Sequence, residues 1–186
     1  MSLILLSFVL TARAAALPMD VRIYDAAGLP AKALARAEAT SAVTLAAVGI
    51  RPIWRPCHVN ECVARPKPHE IEIRVVTATS MSPQGVLGFA AVDVEQHAGV
   101  LGTVFADRVD ALARASGVDA IELLGRAVAH EIGHLVLGTS GHSAFGLMRA
   151  TWTAAEIRRA RPRDWTFSDE QGAQMRERLS PSASAD

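Results

Sequence analysis

The chain has 186 residues, half of them hydrophobic and a fifth charged. That suits one globular domain with a real core and excludes a disordered chain. Nineteen acidic residues balance nineteen basic ones, so the basic surplus of a nucleic-acid binder is missing.

The N-terminus reads MSLILLSFVLTARAAALP. Its apolar run over 3–10 is too short to span a bilayer. The small residues at 12–16 offer A-x-A cleavage sites, so residues 1–16 are expected to be a signal peptide and the protein secreted or periplasmic. No later stretch is long and apolar enough for stable membrane insertion. A single domain is expected over 19–180, and a disordered tail over 181–186.

DVRIYD (20–25) has the composition of a strand. Pro30 opens a helix over 31–50 that should stop at Gly49. RPIWRP (51–56) is a short strand, and 57–69 a proline-rich loop. Cys57 and Cys62 lie in that loop; in an exported chain they are expected to pair. The rival is a metal knuckle of Cys57, His58, Cys62 and His69, whose spacing matches no strong zinc pattern. EIEIRVV (70–76) alternates apolar and charged residues, as a half-buried strand does. Two β-rich runs follow over 85–95 and 99–109, with QHAG as the hairpin turn between them.

Asp119, with Glu122 three residues on, marks the start of a helix over Ala120–Leu137, and Gly138 its stop. A last helix begins after Ser168, its cap, with Gln171 reaching back. This order of elements implies one α+β (or α/β) domain around a mixed sheet.

The helix over 120–137 carries the chemistry. His130 and His134 stand at i and i+4, so both imidazoles share one face and can hold one ion. Glu131 is rotated by about 100° and can reach the open side of that ion without binding it. Two metal ligands and a carboxylate able to take a proton from water is the HExxH arrangement. Ile121, Leu124, Val128, Ile132 and Leu135 fall on roughly the opposite face and would seat the helix in a core. A catalytic zinc usually takes a third protein ligand. His142 is the first candidate, because Gly138 and the residues after it can return the chain; Glu156 is the second.

HEIGHLVLGTSGH, followed by SAFGLM, resembles the metzincin clan of zinc metallopeptidases, whose pattern is HExxHxxGxxH followed by a Met-turn. The spacing departs from it: Gly138 is eight residues after His130 instead of seven, and His142 twelve instead of ten. The resemblance implies a zincin-like domain with an edge strand over the cleft, a zinc-binding helix and a C-terminal helix. It implies Zn2+ on His130, His134 and His142, Glu131 as general base, and Met148 beneath the site. It also implies an extended peptide or protein substrate along the edge strand near 86–94, with Gly85 and Gly88 leaving room for its backbone. A post-Met-turn tyrosine, used by some members, is missing, since Tyr24 is the only tyrosine. Glu156 as third ligand would be the thermolysin-like solution. The expected function is that of a secreted, monomeric zinc metalloendopeptidase. A zinc amidohydrolase acting on a non-protein substrate and a non-catalytic zinc-binding protein stay open as alternatives.

Overall fold

In the computed structural model, β1 (Leu17–Asp25) buries Met19, Val21 and Ile23 from alternate positions, the period of two that a strand imposes. The structure describes residues 15–57, 62, 70–95, 98–159 and 161–180. Residues 1–14 of the expected signal segment, the 181–186 tail, His58, His69 and residues 96–97 of the expected hairpin turn lie outside them.

β1 pairs in parallel with β2 (Ile50–Pro56) on one side and β3 (Ile71–Val76) on the other. Beyond β3 lies β5 (Ala98–Phe105), also parallel, and then β4 (Gly88–Asp93), antiparallel to β5. The mixed sheet therefore runs β2-β1-β3-β5-β4. Pro52 and Pro56 sit on the outermost strand, where a missing N–H is tolerated. β4 forms the opposite edge.

Parallel neighbours need crossovers. α1 (Ala31–Ala46) supplies the one from β1 to β2. It lies against α3 (Ala120–Leu137), and Gly125 is what lets them approach: a Cβ there would stand 2.5 Å from the Ala37 carbonyl oxygen. α2 (Ala106–Ser116) also lies against α3. After α3 come α4 (Ala154–Arg159), a 3-10 turn at Pro162–Trp165 and α5 (Asp169–Leu179). Every residue of α3 from Ala127 to Leu137 is buried, between the sheet and the other helices. Among the described residues no helix is long and apolar enough to cross a membrane.

Several boundaries differ from expectation. The β-run expected over 99–109 ends at Phe105, and the chain turns at once into α2. Val109, Ala113 and Ser116 are buried at helical spacing, a signal masked by the β-branched residues before it. The helix expected over 31–50 stops at Ala46, and Gly49, at φ 77°, turns the chain into β2. The strand expected over 85–95 starts at Gly88. Arg108 holds the Pro83 and Val86 carbonyls and Gly85 has φ 72°, so the segment before Gly88 is a turn. Cys57 and Cys62 form a disulfide with Cα atoms 5.7 Å apart. Both sulfurs are therefore used, and the metal knuckle is excluded.

Candidate metal and active site

α3 is fixed at both ends. The Asp119 side chain accepts from the N–H groups of Ile121 and Glu122, both at 2.9 Å. Glu122 turns its carboxylate to Arg126, one turn along the helix. At the other end Gly138 adopts φ 58°, ψ 39°, the left-handed conformation that reverses the chain. The loop then folds back under the helix: His134 Nδ1 meets the Thr139 carbonyl at 2.8 Å, and the Gly141 N–H donates to Thr139 Oγ1 at 3.0 Å.

The result is a tight cluster. His134 Nε2 lies 3.0 Å from His130 Nε2 and 3.2 Å from His142 Nε2. The ligand atoms of His130, His134 and His142 all lie within 4.8 Å of one another. The extra residues of the spacing are absorbed by carrying the helix to Leu137 before the cap and by the return loop after it.

The tautomers follow from the neighbours. His130 Nδ1 meets the Leu147 carbonyl at 2.8 Å, and His134 Nδ1 that of Thr139. A carbonyl only accepts, so both Nδ1 atoms carry the proton, and in a neutral ring Nε2 is left with a lone pair. Burial keeps the rings neutral. It pushes His130 down to about 4 and lowers His134 and His142 as well. Converging lone pairs on imidazoles oriented by carbonyls are the donor set of a transition-metal site.

Glu131 is buried beside them, and its Oε2 has no hydrogen-bond partner among the described residues. Burial raises its carboxyl to about 8. The carboxylate lies against the edge strand: a Cβ on Gly88 would stand 2.6 Å from Glu131 Oε1 and 2.5 Å from the Thr103 carbonyl oxygen. Gly88 thus makes room for Glu131 and β5. Nothing stands within 4 Å of a Cβ on Gly85, where the space is open.

Met148 is fully buried below α3. A Cβ on Gly133 would stand 2.6 Å from both Met148 Sδ and Phe167 Cε1. The turn bearing Met148 is pinned by Ser143 N–H to the Met148 carbonyl (2.8 Å) and Leu147 N–H to the Thr166 carbonyl (2.9 Å). Trp152 donates to the same Leu147 carbonyl at 3.3 Å and meets the His130 ring edge-on, centroids 5.6 Å apart. A cleft of about 440 Å³ opens onto the cluster. Its walls include residues 85–90, Leu112 and Ala127, and residues 149–152, with His130, Glu131, His134 and His142 among the lining.

Glu156 stands apart. Its carboxylate accepts from Arg149 Nη1 (2.9 Å), Thr153 N (2.9 Å) and Thr153 Oγ1 (2.7 Å). Those Thr153 hydrogen bonds hold its carboxyl below the usual range. Gly133, Arg149 and Trp152 also belong to the site and carry no motif in the sequence. Gly133 alone left a trace there, as a glycine in the middle of a helix.

No protein-family model matches the chain, nor does any curated protein sequence. Solved structures do match in shape. A zinc-dependent peptidase from Methanocorpusculum labreanum superposes with a TM-score of 0.56 at 15% identity, over 83% of this chain and 99% of that one. Archaemetzincin from Methanopyrus kandleri gives 0.56 at 14% identity, over 91% and 99%. The chain has a zincin-like fold. The likeness extends over nearly the whole length of those two proteins and over 83% and 91% of this chain.

Proposed function

We propose that this protein is a zinc-dependent peptidase in which His130, His134 and His142 hold the metal and Glu131 is the general base. The convergence of three imidazole Nε2 atoms, two of them with Nδ1 committed to backbone carbonyls, carries the proposal. The residues suit a zinc ion: three neutral nitrogen donors, a helix that fixes two of them, and an orphaned carboxylate oxygen alongside.

A bound zinc supplies Lewis acidity, polarising a carbonyl and acidifying water. The chain's own residues do the rest. Leu147 and Thr139 hold the tautomers of His130 and His134. Glu131 takes a proton from the attacking water at Oε2 and delivers it to the leaving amine nitrogen. Its burial in apolar surroundings makes it a strong base once ionised. The substrate lies extended along β4, whose outer edge is unpaired in the sheet, with residues 86–90 facing the cleft. Cleavage within a chain, as by an endopeptidase, fits such an edge-strand mode of binding. The Cys57–Cys62 disulfide supports export to an oxidising compartment.

The test is a metal analysis of the purified protein, followed by incubation of the zinc-loaded form with a mixed peptide pool read by mass spectrometry. One zinc per chain and new peptide termini are expected. A chain that takes up no metal on reconstitution, or one that binds zinc and cuts nothing, rules the proposal out.

A further inference from the structure

We infer that Arg149 makes the cleft selective for substrates that carry a carboxylate close to the bond that is cut. This rests on the peptidase function proposed above and adds the chemistry of its substrate.

Arg149 follows Met148 directly, lines the cleft and is only 9% exposed. Its Nε donates to the Gly146 carbonyl at 3.1 Å and its Nη1 to Glu156 Oε1 at 2.9 Å. Nη2 is buried and has no partner among the described residues. Glu156 does not supply one, because its other oxygen is held by the Thr153 backbone and hydroxyl. A buried guanidinium nitrogen whose two N–H groups meet no acceptor is unfavourable, and native proteins seldom leave one without a purpose.

The position gives that purpose. Two residues before Arg149, the Leu147 carbonyl orients His130; three residues after it, Trp152 packs on the same ring. Arg149 therefore belongs to the segment that wraps the His130 side of the cluster. Leu112, Ala127 and Ala150, which also line the cleft, are apolar. In such surroundings a charge-assisted hydrogen bond gains strength. Among the described lining residues Arg149 is the one lysine or arginine. With Nε and Nη1 engaged, Nη2 is left to give one charge-assisted hydrogen bond, and a carboxylate oxygen is the acceptor that suits it. A peptide offers that carboxylate either as an Asp or Glu side chain or as its own C-terminus.

Three matched hexapeptide pools separate these sources on the zinc-loaded full chain. One is amidated with Asn and Gln, the second amidated with Asp and Glu in their place, and the third has Asn and Gln with a free C-terminus. At least one acidic pool should be cut with kcat/KM about tenfold or more above the neutral pool, and which one identifies the source. Arg149→Gln should lose that ratio while still cutting the neutral pool, and Arg149→Lys should keep part of it. Binding of the same pools to Glu131→Gln, followed by calorimetry, gives a second readout that needs no turnover. If the wild type cuts no pool, the peptidase proposal fails, and the binding ratio alone then judges Arg149. A ratio near one, in cutting or in binding, overturns the inference, as does an Arg149→Gln protein with the wild-type ratio. Should Arg149→Gln not fold, the wild-type ratio and Arg149→Lys decide.

Discussion

His130 Nε2 and His134 Nε2 stand 3.0 Å apart, and in neutral rings neither atom has a proton to place between them. Each ring carries its proton on Nδ1 and donates it in a hydrogen bond to a backbone carbonyl. Two lone pairs at that distance repel, and the third imidazole, on His142, adds another. A cation removes the repulsion. Chelation should therefore lower the melting temperature, since a ligand present at about a thousand times its Kd stabilises the fold by about 4 kcal/mol. Scanning calorimetry with and without chelator checks this. His142→Ala should lose the zinc, while Glu156→Ala should keep it. Metal retained by the first variant and lost by the second would reassign the third ligand.

Glu131 binds nothing among the described residues through Oε2, although it is buried. On the proposed mechanism this oxygen is the one that meets the reacting water. Glu131→Gln preserves the volume and removes the base. Zinc content should be unchanged and peptide hydrolysis should fall by about 10²–10⁴. Single-turnover assays on the zinc-loaded variant measure it; a rate within a few-fold of wild type would take Glu131 out of the mechanism.

How much of this was written in the sequence differs from element to element. The cap at Asp119, the helix to Leu137 and the left-handed stop at Gly138 were legible because local chemistry decides them. So was the capping box of Ser168 and Gln171. His130 and His134 were legible because helical geometry alone puts them on one face. The start of α2 was hidden, because the strand before it is rich in β-branched and apolar residues and no capping side chain marks Ala106. The contact of Gly88 with Glu131 is not legible in the sequence: a glycine shows that space is needed, not who fills it, and Glu131 comes from far along the chain. Arg149 and Trp152 left no trace for the same reason, since only the folded turn after Met148 brings them to the cleft.

The metal-free protein should show a pH dependence traceable to Glu131. Burial raises its carboxyl from 4.5 to about 8 in the fold. Between those values the folded chain holds a proton that the unfolded chain has released, so stability falls as pH rises through that window. His130 acts in the opposite sense. Burial lowers it from 6.5 to about 4, so stability is lost as pH falls between those values. Above about pH 7 the histidines are nearly neutral in both states, and Glu131 dominates. From about pH 7 to about pH 8.5, chelator-treated wild type should lose about 1 kcal/mol more than Glu131→Gln in urea denaturation. Zinc should abolish the difference, because a cation nearby favours the ionised carboxylate. Parallel profiles for the two metal-free proteins would contradict a neutral Glu131.

Gly88 ties the edge strand to Glu131, the proposed general base. A Cβ at this position would stand 2.5 Å from the Thr103 carbonyl oxygen and 2.6 Å from Glu131 Oε1, distances that real Cβ atoms do not tolerate. Thr103 O is backbone in the partner strand β5, so it cannot swing aside. Gly88→Ala must therefore push β4 outward, move the Glu131 carboxylate, or both. Overpacking of this kind destabilises by about 1–3 kcal/mol. The metal should stay, because its three nitrogens come from α3 and the loop behind it and none from β4. Activity should fall by far more than stability, since a base displaced by about 1 Å loses on the order of 10²-fold in rate. Zinc analysis, thermal unfolding and peptide hydrolysis on one preparation separate the three effects. A Gly88→Ala protein that is folded, zinc-loaded and as active as wild type would show that the close approach of Gly88 and Glu131 has no part in holding the carboxylate where the chemistry needs it.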